Sequence, residues 1–224
     1  MGKSILTPKQ LKFLECIQQE ESITRNFYLT GGTALAEFYL SHRLSEDIDL
    51  FSEHREVNPD AVDSFLRKVS PKLKVKNIQR IQFLGLFTYI LNFHNNDKLK
   101  VDFSYYPFPR IEKGTLYKGI QIDSIHDIAA NKVHTLFMKP RARDYVDLYY
   151  ILKNKDLSIE KLILDAKAKF DWNIDPLTLA SQFMRVKEFV DFPKMLVPFN
   201  KDSMRGFFID AAKKFKKEII SSKD

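Results

Sequence analysis

Apolar positions recur at helical spacing early in the chain: Leu11, Leu14 and Ile17, widened by Phe13 and Cys16, follow Thr7-Pro8, a cap residue with proline at the first helical position. The pattern then shortens. Phe27-Tyr28-Leu29 reads as a strand ending at Gly31-Gly32, a helix is predicted over 33–41, and a second strand carries Asp47, Ile48, Asp49 and Leu50. Side chains alternate across a strand, so Asp47 and Asp49 share one face while Ile48 and Leu50 take the other. Asn58-Pro59 opens a third helix to about residue 69, with Val62, Phe65 and Leu66 inward. Two strands are predicted over 81–93 and 99–105, joined by His94-Asn95-Asn96-Asp97, residues that tolerate the conformations of a hairpin. In the second of these, Val101, Phe103 and Tyr105 face one way and Lys100, Asp102 and Ser104 the other.

From Ser124 onward helical periodicity dominates, over 125–137, 144–152, 159–170, 176–189 and 203–220. Pro107, Pro109 and Gly114 punctuate the change. The expected fold is therefore α+β: a mixed β-sheet flanked by helices over 1–120, followed by a C-terminal α-helical bundle over 121–224.

Composition removes some function classes. At 224 residues, 44% of them hydrophobic, the chain can bury a core. No stretch approaches ~20 apolar residues, so no membrane span is expected. The start, Met1-Gly2-Lys3-Ser4-Ile5-Leu6, has no apolar core of a signal peptide, and Leu6 stands where myristoylation needs Ser or Thr. A cytoplasmic location follows as the expectation. The lone Cys16 excludes an intrachain disulfide. The five histidines show no paired zinc spacing.

Charge adds a hint about partners. Net charge is +7, and Arg67, Lys68, Lys72, Lys74, Lys76 and Arg80 fall in one segment without an Asp or Glu. Such a patch suits a polyanion, or is simply a solvated surface. A second cluster, Lys213, Lys214, Lys216 and Lys217, reads as surface.

The candidate chemistry lies in the strands. Asp47 and Asp49 side by side are costly to ionise together unless a cation sits between them. Mg²⁺ takes oxygen ligands and commonly keeps phosphates as partners. The glycine-rich turn upstream offers backbone N–H groups to the same phosphates. Asp102, on the polar face of its strand, is the natural third carboxylate if that strand lies beside the first; taken alone it reads as an exposed strand aspartate.

Together, Gly31-Gly32-Thr33-Ala34-Leu35, His42-Arg43-x-Ser45-x-Asp47-x-Asp49-Leu50-Phe51 and Lys100-x-Asp102 resemble the DNA polymerase β-type nucleotidyltransferase superfamily. Within it the chain resembles the AbiEii/AbiGii toxin branch, whose downstream motifs are matched by Ile128-Ala129-Ala130-Asn131-Lys132 and Arg141-x-Arg143-Asp144-x-x-Asp147-Leu148. Arg143 stands where the family more often has Lys, and Thr33 where it often has Ser. The resemblance covers about residues 27–152 and makes residues 1–120 a nucleotidyltransferase core.

The resemblance implies Mg²⁺ (or Mn²⁺) on Asp47, Asp49 and Asp102. It implies a triphosphate against Gly31, Gly32 and Thr33, with Arg43 and Ser45 holding phosphate or shaping the loop. Lys132, Arg141, Arg143 and Asp144 would complete the nucleotide site, and Asp147 would act as a base or orient Lys132. Simpler roles exist for each: Gly-Gly also serves an ordinary turn, Lys132 can snorkel to solvent, Asp144 can cap its helix, and the charged four can pair with one another. The implied reaction moves an NMP from an NTP to an acceptor hydroxyl, on analogy RNA such as a tRNA 3′ end, as the toxin of a type IV toxin–antitoxin pair with an AbiEi-like antitoxin. A catalytically silent nucleotide- or RNA-binding module, and a nucleotidyltransferase or kinase acting on protein, are the rival readings.

Overall fold

The structure is a computed structural model and describes residues 4–173 and 175–221, with side chains to residue 215. The expectations placed on Met1, Gly2 and Lys3, and on the side chains of Lys216 and Lys217, lie outside the described residues. The chain divides into two units, Met1–Ser124 and Ile125–Asp224.

The first unit opens with α1 (Pro8–Ile17), capped as its sequence requires: the Thr7 side chain accepts from the Gln10 backbone N–H, and the Gln10 side chain accepts from Thr7 N at 2.9 Å. A short turn of helix, α2 (Glu21–Thr24), leads to β1 (Tyr28–Thr30). Then come α3 (Gly31–Leu35), its π-helical continuation Ala36–Leu40, and β2 (Ile48–Ser52). Helix α4 (Pro59–Leu73) is capped by Asn58, which accepts from Asp60 and Ala61 N–H. It ends at Lys74 in the left-handed region, φ 59°. The remaining strands are β3 (Val75–Phe83), β4 (Leu86–Phe93), β5 (Lys98–Tyr105), β6 (Thr115–Tyr117) and β7 (Ile120–Ile122).

Among the described residues these form one mixed sheet in the order β3-β4-β5-β2-β1-β7-β6. β2 runs parallel to β5 and β1 parallel to β7, while the other neighbours are antiparallel. One face carries the core: Ile48, Leu50, Leu91, Val101 and Phe103 are fully or almost fully buried. α1 and α4 pack together there through Phe13 and Phe65, edge to face at 6.0 Å, and Phe103 meets both Phe27 and Tyr89 in T-shaped contacts. Each such side chain contributes about 1.5–3 kcal/mol by leaving water.

The single strand expected over 81–93 is two strands. The chain turns at Leu84-Gly85, and β3 reaches back to Val75 through residues expected to be only a basic segment. Its mostly exposed, polar sequence lacks the apolar alternation that reveals a half-buried strand. The three-residue strands β6 and β7 escape the same test by being too short. The helix expected over 33–41 starts two residues earlier and changes to π geometry midway.

The second unit is helical: α5 (Ile125–Met138), α6 (Ala142–Asn154), α7 (Ile159–Phe170), α8 (Pro176–Met184) with a 3₁₀ turn Arg185–Glu188, and α9 (Lys201–Ser221). Its core joins Tyr145, Phe183 and Phe208, with ring centroids 5.2 and 5.6 Å from Phe208. The Tyr145 hydroxyl donates to the Gln182 carbonyl at 2.6 Å.

Candidate active site

The parallel pairing of β2 with β5 sets Asp49 directly opposite Asp102. Asp47 precedes β2 by one residue and, continuing that register, lies opposite Lys100. Antiparallel β1 places Thr30 beside Asp49 on the other flank. Because period-two alternation buries Ile48, Leu50, Val101 and Phe103, the acids are forced to the opposite face.

Lys100 lies among these acids. Its ammonium donates to Asp102 Oδ2 at 2.6 Å and to Asp47 Oδ2 at 3.4 Å. Burial works to lower its pKa, but the Asp102 hydrogen bond and the charges of Asp102, Asp47 and Asp49 outweigh this and raise it. Asp102 Oδ1 accepts from the Thr88 hydroxyl at 2.6 Å.

The two glycines fit where side chains press on the backbone. Gly31 has φ +71°, and a Cβ there would collide with the Asp49 carboxylate. A Cβ on Gly32 would collide with the Arg43 guanidinium and crowd Ser45 Oγ at 3.1 Å. The turn's freedom from side chains is thus already used by this chain's own Asp49, Arg43 and Ser45. The Thr33 hydroxyl donates to the Asp47 carbonyl, fixing the backbone that carries the first acid. Buried Arg43 donates to the Leu44 carbonyl at 2.8 Å, and the Gln10 amide to the Ser45 carbonyl at 2.8 Å. Gln10, the capping-box partner of Thr7, therefore also braces the loop before the acids.

Behind Thr30 lies a fourth carboxylate that sequence reasoning passed over. Asp123, fully buried just after β7, accepts from the Thr30 hydroxyl at 2.6 Å, and its carbonyl accepts from the Tyr39 hydroxyl at 2.7 Å. Its signal in sequence was slight: one acid between a short strand and a helix. Thr88 meets Asp102 through the pairing of β4 with β5, and Lys100, on the polar face with Asp102, meets Asp47 through that of β5 with β2.

The second unit holds its own charged node. Lys132 of α5 is buried, with its ammonium 2.7 Å from Asp144 Oδ1 and 2.8 Å from Asp147 Oδ2. Asp144 Oδ2 also accepts the Arg141 N–H at 3.0 Å, so it caps α6 as well. Burial pushes the Asp144 pKa up, yet the Lys132 charge and hydrogen bond, with Arg141, prevail and lower it. Arg141 is largely exposed, and Arg143 is half-buried on the first turn of α6. The snorkelling role for Lys132 is thus replaced by a buried, doubly paired one.

Among the described residues no group of three or more His, Cys, Asp or Glu is drawn together closely enough to hold a metal ion. The reason is local: Asp49 turns against Gly31, Asp102 is held by Thr88 and Lys100, and Asp47 by Lys100. The donor set nonetheless suits a hard divalent cation, being all carboxylate oxygen on one face with positive charge already drawn into it.

The sequence profile described as Nucleotidyl transferase AbiEii toxin, Type IV TA system, matches residues 12–214. The chain belongs to the AbiEii nucleotidyltransferase toxin family. It is a nucleotidyltransferase. An uncharacterized Aquifex aeolicus (strain VF5) protein, aq_aa25, is 30% identical to this AbiEii-family chain over 155 residues, 68% of this chain and 70% of the relative. The fold is similar to that of JHP933 from Helicobacter pylori, with a TM-score of 0.57 at 21% identity over 97% of this chain and 96% of that one. MenT4, a nucleotidyltransferase toxin of Mycobacterium tuberculosis H37Rv, is similar with a TM-score of 0.55 at 12% identity, over 92% and 83% of the two chains. No helix of this AbiEii-family chain, among the described residues, is long and apolar enough to cross a membrane.

Proposed function

We propose that this protein transfers an NMP from an NTP to a hydroxyl of RNA, a tRNA 3′ end being the favoured acceptor, in a reaction that requires Mg²⁺ or Mn²⁺. The observation that carries this reading is the Asp49–Asp102 register, with Asp47 one step along the same face. In the reaction the acceptor oxygen attacks the α-phosphorus, the bond to the bridging oxygen of the β-phosphate breaks, and pyrophosphate and the hydroxyl proton leave. Asp47, Asp49 and Asp102 would hold the divalent cation, which when bound neutralises charge on the phosphates and orients them.

The chain's own residues prepare this. Thr33 and Gln10 fix the loop on which Asp47 sits. Thr88 orients Asp102. Buried Arg43, beside Gly32, brings a fixed positive charge to the turn where the triphosphate would lie. Lys100 offsets charge on Asp102 and Asp47. Lys132, paired with Asp144 and Asp147, would offer positive charge to phosphate, as would Arg141 and Arg143 at the start of α6. Membership of a type IV toxin family supports a cognate antitoxin as partner and a cytoplasmic site of action.

The test is direct: incubate the protein with each α-labelled NTP, Mg²⁺ or Mn²⁺, total RNA and total protein. Label on RNA, lost in Asp49→Ala, is the expected result. Label on protein alone, or NTP binding with no label on any polymer, overturns it.

A further inference from the structure

One rung of the sheet runs outward past the acids. Asp49 pairs with Asp102, Asp102 with Thr88 of β4, and Thr88 with Ile81 of β3. Residues opposite one another in paired strands share a face. The face that presents the carboxylates therefore continues through Thr88 to Ile81, and through the flanking pairs Gln79–Ile90 and Phe83–Leu86. With about 4.8 Å between strands, Ile81 lies about 10 Å from Asp102, the reach of a nucleotide or two.

That outer surface is open. Ile81 is 55% exposed, Phe83 70%, and Leu84 at the hairpin tip 81%. The reverse face of β4 is spent on the core through Phe87, Tyr89 and Leu91, so these outward apolar groups pack nothing of their own. Leu84 holds φ 51°, a conformation a bulky residue adopts only under constraint.

The segment that forms this edge of the sheet carries charge of one sign. Residues 64–96 contain six Lys or Arg and no Asp or Glu. Lys68 and Arg80 pair with Glu20 and Asp63 from outside that stretch. Arg67, Lys72, Lys74 and Lys76 are exposed and form no ion pair among the described residues. Lys72, Lys74 and Lys76 gather where α4 ends and the edge strand β3 begins.

We propose that the exposed face of β3 is the bed of a single-stranded polynucleotide acceptor, with bases stacked on Phe83 and Ile81 and phosphates led off the sheet edge past Lys72, Lys74 and Lys76. Aromatic and apolar platforms bordered by cations are how single strands are held without base readout. A protein partner fits less well: the apolar group is three residues, whereas a stable protein interface needs about 1,000 Å² or more. This inference rests on the nucleotidyl-transfer reading for the role of the bound strand, but the binding itself is measured separately.

The experiment uses the full chain and a fluorescein-labelled, unstructured ten-nucleotide RNA, read by anisotropy at several salt concentrations. NTP affinity is measured beside it by calorimetry. The double variant Ile81→Ser/Phe83→Ser is expected to weaken RNA binding roughly tenfold or more with NTP affinity unchanged. The triple variant Lys72→Glu/Lys74→Glu/Lys76→Glu is expected to weaken it as well, and to flatten the slope of log affinity against log salt by about two. Should the double variant melt lower than the parent, Phe83→Ala, which removes one exposed ring, carries the test. Unchanged RNA affinity in the variants, no RNA binding by the parent, or loss of antitoxin binding with RNA affinity retained would each overturn the proposal. RNA binding that is lost in the variants, without label transfer by the parent, upholds the bed and counts against the transfer reading alone.

Discussion

The two lysine–carboxylate groups of this chain are built from the same side chains and differ in enclosure. Lys100 stands among Asp47, Asp49 and Asp102 with its side chain 39% exposed, whereas Lys132 stands between Asp144 and Asp147, whose side chains are 1% and 0% exposed. In the first group the acids lie on one sheet face, Asp102 is buried, and water reaches the lysine. In the second group the ion pairs are shut away from solvent, where charges are tolerated only when matched. Openness suits the sheet group to the chemistry proposed for it; enclosure suits the helix group to holding a fixed charge.

Four substitutions probe that contrast. The largest effect is expected at the open group: Asp49→Asn should cut NMP transfer by more than about 10³-fold, about 4 kcal/mol of barrier, with a melting temperature close to the parent's. A variant that transfers normally would remove the acids from the reaction. At the closed group, Lys132→Met strands two buried carboxylates and should lower unfolding stability by about 3–5 kcal/mol, read from denaturant midpoints. Little change there would erase the distinction drawn between the groups. Next, Gly31→Ala places a methyl against the Asp49 carboxylate at φ +71°; a loss of about 1–2 kcal/mol of stability is expected, with transfer impaired because Asp49 must move. The smallest effect belongs to Thr88→Val, which takes one hydrogen bond from Asp102 and should cost about 1 kcal/mol in transfer, measured as kcat/KM.

Acid separates the groups without mutation. The folded-state pKa of Asp144 lies below its ordinary value of 3.8, so its stabilising contribution is fully present above 3.8 and is lost as pH falls from there through the lower folded value. Melting temperatures taken from pH 5 to pH 3 should therefore fall more steeply in the parent than in Lys132→Met, which has already lost the contribution. Parallel curves would show that Lys132 does not depress Asp144.

Much of this site was legible in the chain because its features are local. The pair Asp47/Asp49 follows from alternation, and the Thr7-Pro8 and Asn58-Pro59 caps follow from side-chain chemistry at helix starts. What stayed hidden depends on pairing between distant segments. That Asp102 faces Asp49 rather than solvent is a matter of register between strands some fifty residues apart, and Asp123 enters only because β7 docks on β1. β3 escaped notice for a different reason. Its exposed face has no core to answer to, so its sequence carries no alternation to read. The glycines are expected to let the backbone approach a triphosphate; in the structure Asp49 and Arg43 lie against them.

The parallel pairing of β2 and β5 has a consequence for how the molecule matures. Parallel neighbours cannot be joined by a tight turn, so this contact closes only after α4, β3 and β4 have been laid down between them. A slip of one residue would turn Val101 and Phe103 toward water and press Lys100 and Asp102 into the core. A chain folded in the wrong register would thus be unstable for the same reason that it would be inert. Burial of the core residues and alignment of the acids are therefore a single event, set by strand order.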